Sequence, residues 1–85
     1  MASYNLLIKP SAARELEELP AKDRHRIVAR IQGLAGQSRP PNCEKLAGEE
    51  KYRLRQGNYR ILYSVDDAAT IVTVVKIGHR REVYR

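Results

Sequence analysis

The sequence predicts an α+β domain: an N-terminal strand, an α-helical hairpin, then a three-stranded antiparallel meander, joined in one twisted sheet with the helices packed against it. Three observations carry this reading. Residues 51–63 alternate in character on both sides of Gly57-Asn58, which marks two strands joined by a tight turn. Apolar residues recur at helical spacing in 12–19 and again in 27–34, the pattern of two amphipathic helices. Residues 70–77 are apolar at both parities, as expected of a strand buried on both faces.

In chain order, Tyr4-Asn-Leu-Leu-Ile8 is short, apolar and β-prone, and reads as the first strand. Pro10 or Ser11 starts the first helix, because proline is tolerated in the first turn and serine is a good N-cap. Ala12, Ala13, Leu16 and Leu19 line its inner side, with Arg14, Glu15, Glu17 and Glu18 toward water and an Arg14–Glu18 pair at i, i+4. Pro20 ends it. A second helix over 22–34 turns Ile27, Val28, Ile31 and Leu34 inward and carries Arg24, His25, Arg26 and Arg30 on its other faces. Residues 36–42, with Pro40-Pro41, form a loop. Cys43 falls in the polar stretch that follows, and Leu46 is an anchor on the approach to the meander.

The meander has the most specific register. A two-residue turn with glycine first suits type II′ geometry, which sets Gln56 against Tyr59, Arg55 against Arg60, Leu54 against Ile61 and Arg53 against Leu62. Side chains alternate across a strand. Lys51, Arg53, Arg55 and Arg60 then share one face, and Tyr52, Leu54, Tyr59, Ile61 and Tyr63 share the other. A slip of one residue would mix the two sets. Four cations on one face repel one another, so the face is either screened by solvent or placed to receive a polyanion.

Bulk properties bound the rest. At 85 residues with 42% hydrophobic composition, residues 1–85 read as one small folded domain with a modest core. No run of about 18 apolar residues suggests a membrane span, and Met1-Ala-Ser-Tyr4 has no signal-peptide character. The lone Cys43 cannot make an internal disulfide, which favours a reducing cytoplasm. Residues 1–50 carry eight Lys/Arg against seven Asp/Glu, whereas 51–85 carry eight against three. The basic excess therefore belongs to the strand-rich half, where a phosphate backbone would be attracted.

Several chemistries are excluded by their missing residues. The chain has no Cys/His zinc pattern, no phosphate-binding glycine loop and no serine nucleophile motif. Asp66 and Asp67 fall in a turn away from the basic face, against a two-metal site. No metal and no cofactor are expected. What remains, the basic face with His79, Arg80, Arg81 and Tyr84, suits metal-independent RNA cleavage. There the 2′-hydroxyl attacks the adjacent phosphorus, and help is needed with two proton transfers and with phosphorane charge. Guanidinium groups match phosphate geometry. A lysine among other cations releases its proton more readily, and Lys51 is so placed; an imidazole titrates near neutrality. Each residue also has a plainer reading: Arg53, Arg55 and Arg60 as a solvated face, His79 as a strand-end residue bonded to backbone, Tyr84 as a packing residue.

Taken together, Lys45-Leu-Ala-Gly48, Tyr52-Arg-Leu-Arg55, Gly57-Asn-Tyr-Arg-Ile-Leu-Tyr63 and Gly78-His-Arg-Arg-Glu-Val-Tyr84 resemble the RelE family of the RelE/ParE toxin superfamily. The resemblance implies a RelE-like fold and a ribosome-dependent mRNA endonuclease that inhibits translation by cutting in the A site. Its implied partners are the 70S ribosome and mRNA, a cognate RelB-like antitoxin that silences it, and operator DNA only through the antitoxin complex, with no membrane. By motif, Lys51 and Tyr84 would activate or orient the 2′-hydroxyl, Arg53 and Arg60 would hold the phosphate, and Arg80 would assist the leaving oxygen. Arg55 and Arg81 would add RNA contacts. Arg53 stands where some relatives carry lysine, and His79 adds an imidazole able to take an acid or base role. A ParE-like inhibitor of DNA gyrase without nuclease activity is the alternative that the shared fold allows, and a purely binding role within an operator-bound repressor complex is a third.

Overall fold

The computed structural model describes residues 3–46 and 51–79. Its elements are β1 (Asn5–Ile8), α1 (Pro10–Glu17), α2 (Ala21–Gly33), β2 (Cys43–Lys45), β3 (Lys51–Gln56), β4 (Tyr59–Asp66) and β5 (Ile71–His79). They form one five-stranded sheet in the order β1-β5-β4-β3-β2, with β1 parallel to β5 and the other neighbours antiparallel. The expected α+β architecture is present, with one addition. β2 is a short edge strand on β3, where the sequence suggested only a polar approach, and it contains Cys43.

Proline opens α1 in its first turn after an extended Lys9, so Pro10 rather than Ser11 marks the start. Proline's fixed φ and missing N–H cost nothing there. Inward-facing Ile27 and Ile31 of α2 and Leu34 at its C-cap pack with Leu54, Ile61, Tyr63, Val72, Val74 and Ile77 of the sheet in one buried cluster. Burying each such aliphatic side chain contributes about 1.5–3 kcal/mol.

The β3–β4 register matches the pattern read from the sequence, from Gln56 opposite Tyr59 to Lys51 opposite Ser64. Gly57 has φ +59°, while Thr70 alone among the described non-glycine residues has positive φ. Positive φ at the first turn position only is the type II′ arrangement.

Strand β5 differs from expectation in an informative way. Leu62 pairs with Lys76 but Tyr63 pairs with Val74, so Val75 is an extra residue in the ladder. A bulge of this kind shifts the alternation by one. Val72, Val74 and Ile77 are therefore all buried, and Lys76 joins the face of Arg53 and Leu62. The apolar character at both parities comes from that shift, not from a strand covered on both sides: Ile71, Thr73 and Val75 are only half-buried.

Glu15, expected to face water, is half-buried against β5. Its carboxylate accepts the Ile77 backbone N–H at 3.0 Å and the Lys76 ammonium at 3.2 Å. The last β1 register pair is Ile8–Val74, and Glu15 takes the place of the missing strand partner for β5. No Arg14–Glu18 pair forms among the described residues; Arg24 instead donates to the Glu17 and Leu19 carbonyls at 3.3 and 3.5 Å.

Beyond α2 the chain is tied to the sheet through Arg39. Its guanidinium grips Asp67 through two hydrogen bonds, 3.1 and 2.8 Å, and donates from Nε to the Tyr52 hydroxyl at 2.7 Å. Tyr4 donates to the same carboxylate. Tyr52 stacks on Tyr63 with centroids 5.6 Å apart, and Tyr63 donates to the Ser38 carbonyl at 2.8 Å. Hydrogen bonds from Arg39 and Tyr4 hold the Asp67 carboxyl below its usual pKa, and burial raises that of the Tyr63 phenol.

Two outcomes are expected. Glu15→Ala strands the Ile77 N–H and should cost about 1–3 kcal/mol, whereas Lys76→Ala removes only a part-exposed pair and should cost about 0–1 kcal/mol, both read by urea denaturation. Asp67 has a folded pKa below its unfolded one, so its contribution is present above about pH 4 and is lost as pH falls through the folded value. The difference in urea midpoint between the parent and Asp67→Asn should therefore be open at neutral pH and close on acidification.

Candidate polyanion-binding face

Register fixes the rows on the sheet face away from the core. Glu44, Arg53, Leu62 and Lys76 lie across one row, and Arg55, Arg60 and Gly78 across the next. Lys51 and Ser64 sit in a third row with Thr73 and Leu7. Lys51, Arg53, Arg55 and Arg60 thus share a face, as their alternation requires.

The four differ in depth. Arg55 is exposed, Lys51 and Arg53 are half-buried, and Arg60 at the sheet centre is fully buried. A guanidinium keeps its charge when buried, and in a water-poor setting its attraction for a phosphate oxygen is stronger than at an exposed site. Gly78 directly opposite Arg60 adds no side chain to that row. Arg53 lies 3.4 Å from the Glu44 carboxylate of the edge strand. Two residues of this face were missed from sequence: Lys76, because the bulge hides its parity, and Glu44, because a three-residue edge strand has too little alternation to be seen.

His79 lies elsewhere. It pairs with Tyr59, one residue beyond Gly78, and so points to the helix-bearing side. Its ring meets that of Tyr59 edge-on at 5.8 Å, and Tyr59 donates to Asp23 of α2 at 3.1 Å. Burial, then this hydrogen bond, raises the Tyr59 pKa. The structure therefore brings together Lys51, Arg53, Arg55 and Arg60 and separates His79 from them. Arg80, Arg81 and Tyr84 lie outside the described residues. Among the described residues no cluster of His, Cys, Asp or Glu has the geometry to hold a metal ion, and no helix is long and apolar enough to cross a membrane.

Two helices on one side of a five-stranded mixed sheet, with Lys51, Arg53, Arg55 and Arg60 together on the other, define an α+β class with a basic sheet face. Comparison with known proteins makes this specific. The family model described as the ParE toxin of the type II toxin–antitoxin system parDE matches residues 6–84. Toxin RelG of Mycobacterium tuberculosis is 33% identical over 90 residues, covering 96% of this chain and 97% of the relative. Toxin RelE of the same organism is 31% identical, covering 96% and 87%. Among solved structures, a RelBE toxin–antitoxin complex from Mycobacterium tuberculosis aligns with TM-score 0.82 and 27% identity, covering 93% of this chain and 100% of the matched one. The intact E. coli RelBE complex aligns at 0.77 with 27% identity, covering 91% and 96%. The chain belongs to the RelE/ParE superfamily of toxins of type II toxin–antitoxin systems, as a toxin of the RelE family.

If the face attracts polyanions, its ion pair with Glu44 should oppose binding. Glu44→Gln is expected to elute from heparin at higher salt than the parent, and Arg53→Ala at lower salt, with the stability change in the first variant within about 1 kcal/mol.

Proposed function

We propose that this toxin is a ribosome-dependent endoribonuclease that cuts mRNA in the A site and so inhibits translation. The observation that carries the reading is the segregated face of Lys51, Arg53, Arg55 and Arg60 around a fully buried Arg60. In the reaction the 2′-oxygen loses its proton and bonds to the adjacent phosphorus. The 5′-oxygen departs with a proton, leaving a cyclic phosphate on the upstream fragment. Arg53 and Arg60 neutralise the charge that develops on the phosphorane oxygens, where preorganised donors act most strongly. Lys51 lies on the same face and takes the proton of the 2′-hydroxyl. Tyr84 would orient that hydroxyl and Arg80 would assist the leaving oxygen, roles that rest on the motif resemblance. Arg55 and Arg81 extend the backbone contact. His79, turned to the other side of the sheet, has no part in proton transfer in this reading.

Silencing by a cognate RelB-like antitoxin is part of the proposal, supported by the likeness to toxin–antitoxin complexes. Operator DNA would be met through that complex, and the ribosomal target places the action in the cytoplasm. The ParE family match favours a second reading, inhibition of DNA gyrase without RNA cleavage.

Primer extension on a reporter mRNA in a cell-free translation system separates the two. Cuts within codons at ribosomes, absent on naked RNA, are expected. Arg60→Ala should lower the cleavage rate about 10²–10³-fold. Intact mRNA beside active translation would overturn the nuclease reading, and lost supercoiling activity of gyrase would then establish the alternative.

A further inference from the structure

One acid stands among the cations of the basic face. Glu44 on the edge strand β2 is exposed, and its carboxylate lies 3.4 Å from the Arg53 guanidinium. A face that only collected phosphates would gain nothing from it, because a carboxylate repels them. Glu44 also borders a cavity. Where the chain joins β3 at Cys43, a space of about 390 Å³ opens beside the strand, with Pro41, Asn42, Glu44, Arg55 and Gly57 in its lining. Pockets of roughly 300–1,000 Å³ hold small organic molecules, and a phosphate alone needs far less.

Arg55 belongs to both places. It is one of the four cations of the face and a wall of the cavity. It is exposed, and among the described residues it makes no ion pair. It stands directly opposite Arg60, where like charges repel. Arg53 lies two residues away on the same strand, about 7 Å, close to the step between neighbouring phosphates of an extended chain. A backbone held at Arg53 and Arg60 can therefore send the adjoining base into the cavity.

We propose that this cavity is a base-reading subsite for the mRNA nucleotide beside the cut, selecting bases that carry an exocyclic amine. It rests on the proposed nuclease function. In single-stranded RNA a splayed base stacks on an aromatic ring or a guanidinium plane and is read at its Watson–Crick edge. Arg55 supplies the plane. Glu44, which as a carboxylate only accepts, takes a hydrogen from the amine. Uracil has no amine, and offers a carbonyl oxygen where cytosine offers its N4 donor. Asn42 adds an amide able to donate and accept. Phosphate capture and base reading are linked: a phosphate that takes Arg53 frees the Glu44 carboxylate for the base.

The test compares cytidine and uridine 5′-monophosphate, alike in size and charge, by NMR titration of the full chain. Cytidine monophosphate should bind about fivefold or more tighter and shift the backbone amides of Asn42, Glu44, Arg55 and Gly57. Glu44→Gln keeps the side-chain size at an exposed position, and its amide also donates, so it should bring the two affinities together. Equal affinities in the parent, a preference that survives Glu44→Gln, or shifts confined to Lys51, Arg53 and Arg60 would each overturn the proposal. In cleavage maps uracil should be rare beside the parent's cuts and admitted there by Glu44→Gln. The titration needs no cleavage, so a parent that prefers cytidine yet leaves mRNA intact in translation would sink the nuclease reading and leave the subsite standing. Cuts at ribosomes with uracil as frequent beside them as the other bases would sink the subsite alone.

Discussion

The register of β3 on β4 is the constraint on which both faces depend. A two-residue turn leaves no slack in pairing, and Gly57 at φ +59° supplies a conformation that residues with a Cβ adopt only under strain. With that turn in place, alternation sends Tyr52, Leu54, Ile61 and Tyr63 into the core and Lys51, Arg53, Arg55 and Arg60 away from it. A slip by one residue would bury cations against Ile27 and Ile31, at a desolvation cost that no pairing in that core offsets. The apolar face therefore enforces the basic one: burial on one side holds mutually repelling charges in order on the other.

The second strand interface works differently. Val75 interrupts the alternation of β5, and β1 is too short to pair along its whole length. Glu15 resolves both irregularities. It hydrogen-bonds the Ile77 N–H that β1 does not reach, and it gathers the Lys76 ammonium, which the bulge has turned to the basic face. At the far end Arg39 joins Asp67, Tyr52 and the chain after α2. The sheet is thus fixed by hydrophobic burial at its centre and by two charged links near its ends.

These differences mark how far the sequence was legible. Both helices and the hairpin register could be read because each rests on periodicity repeated over many residues. The β2 strand could not, since three residues carry no pattern and its existence depends on a neighbour contributed by β3. Glu15 looked like an ordinary outward-facing carboxylate because its partners lie 61 and 62 residues away. His79 was grouped with the basic residues by its nearness to Arg80 in sequence, yet strand alternation places it with Tyr59. At the candidate site the cations of β3 and β4 were legible from alternation alone, while Lys76 and Glu44 depended on a bulge and an edge strand that only tertiary pairing defines.

Glu44 bears on how such a basic face remains stable on its own. Arg53 and Glu44 are cross-strand neighbours, and the carboxylate is more than half exposed. A pair whose carboxylate is this exposed contributes little stability, but it lowers the local positive potential beside Arg60. In the proposed function an arriving phosphate backbone would compete with the carboxylate for Arg53 and would meet Lys51 and Arg55 at the same time. Because the carboxylate is solvated, releasing it would cost little against several new charge-assisted contacts. The edge strand thereby moderates repulsion in the free protein without closing the face to a polyanion. A buried carboxylate at the same position would have been far harder to displace, since removing one partner of a buried pair leaves a charge with neither water nor a counterion.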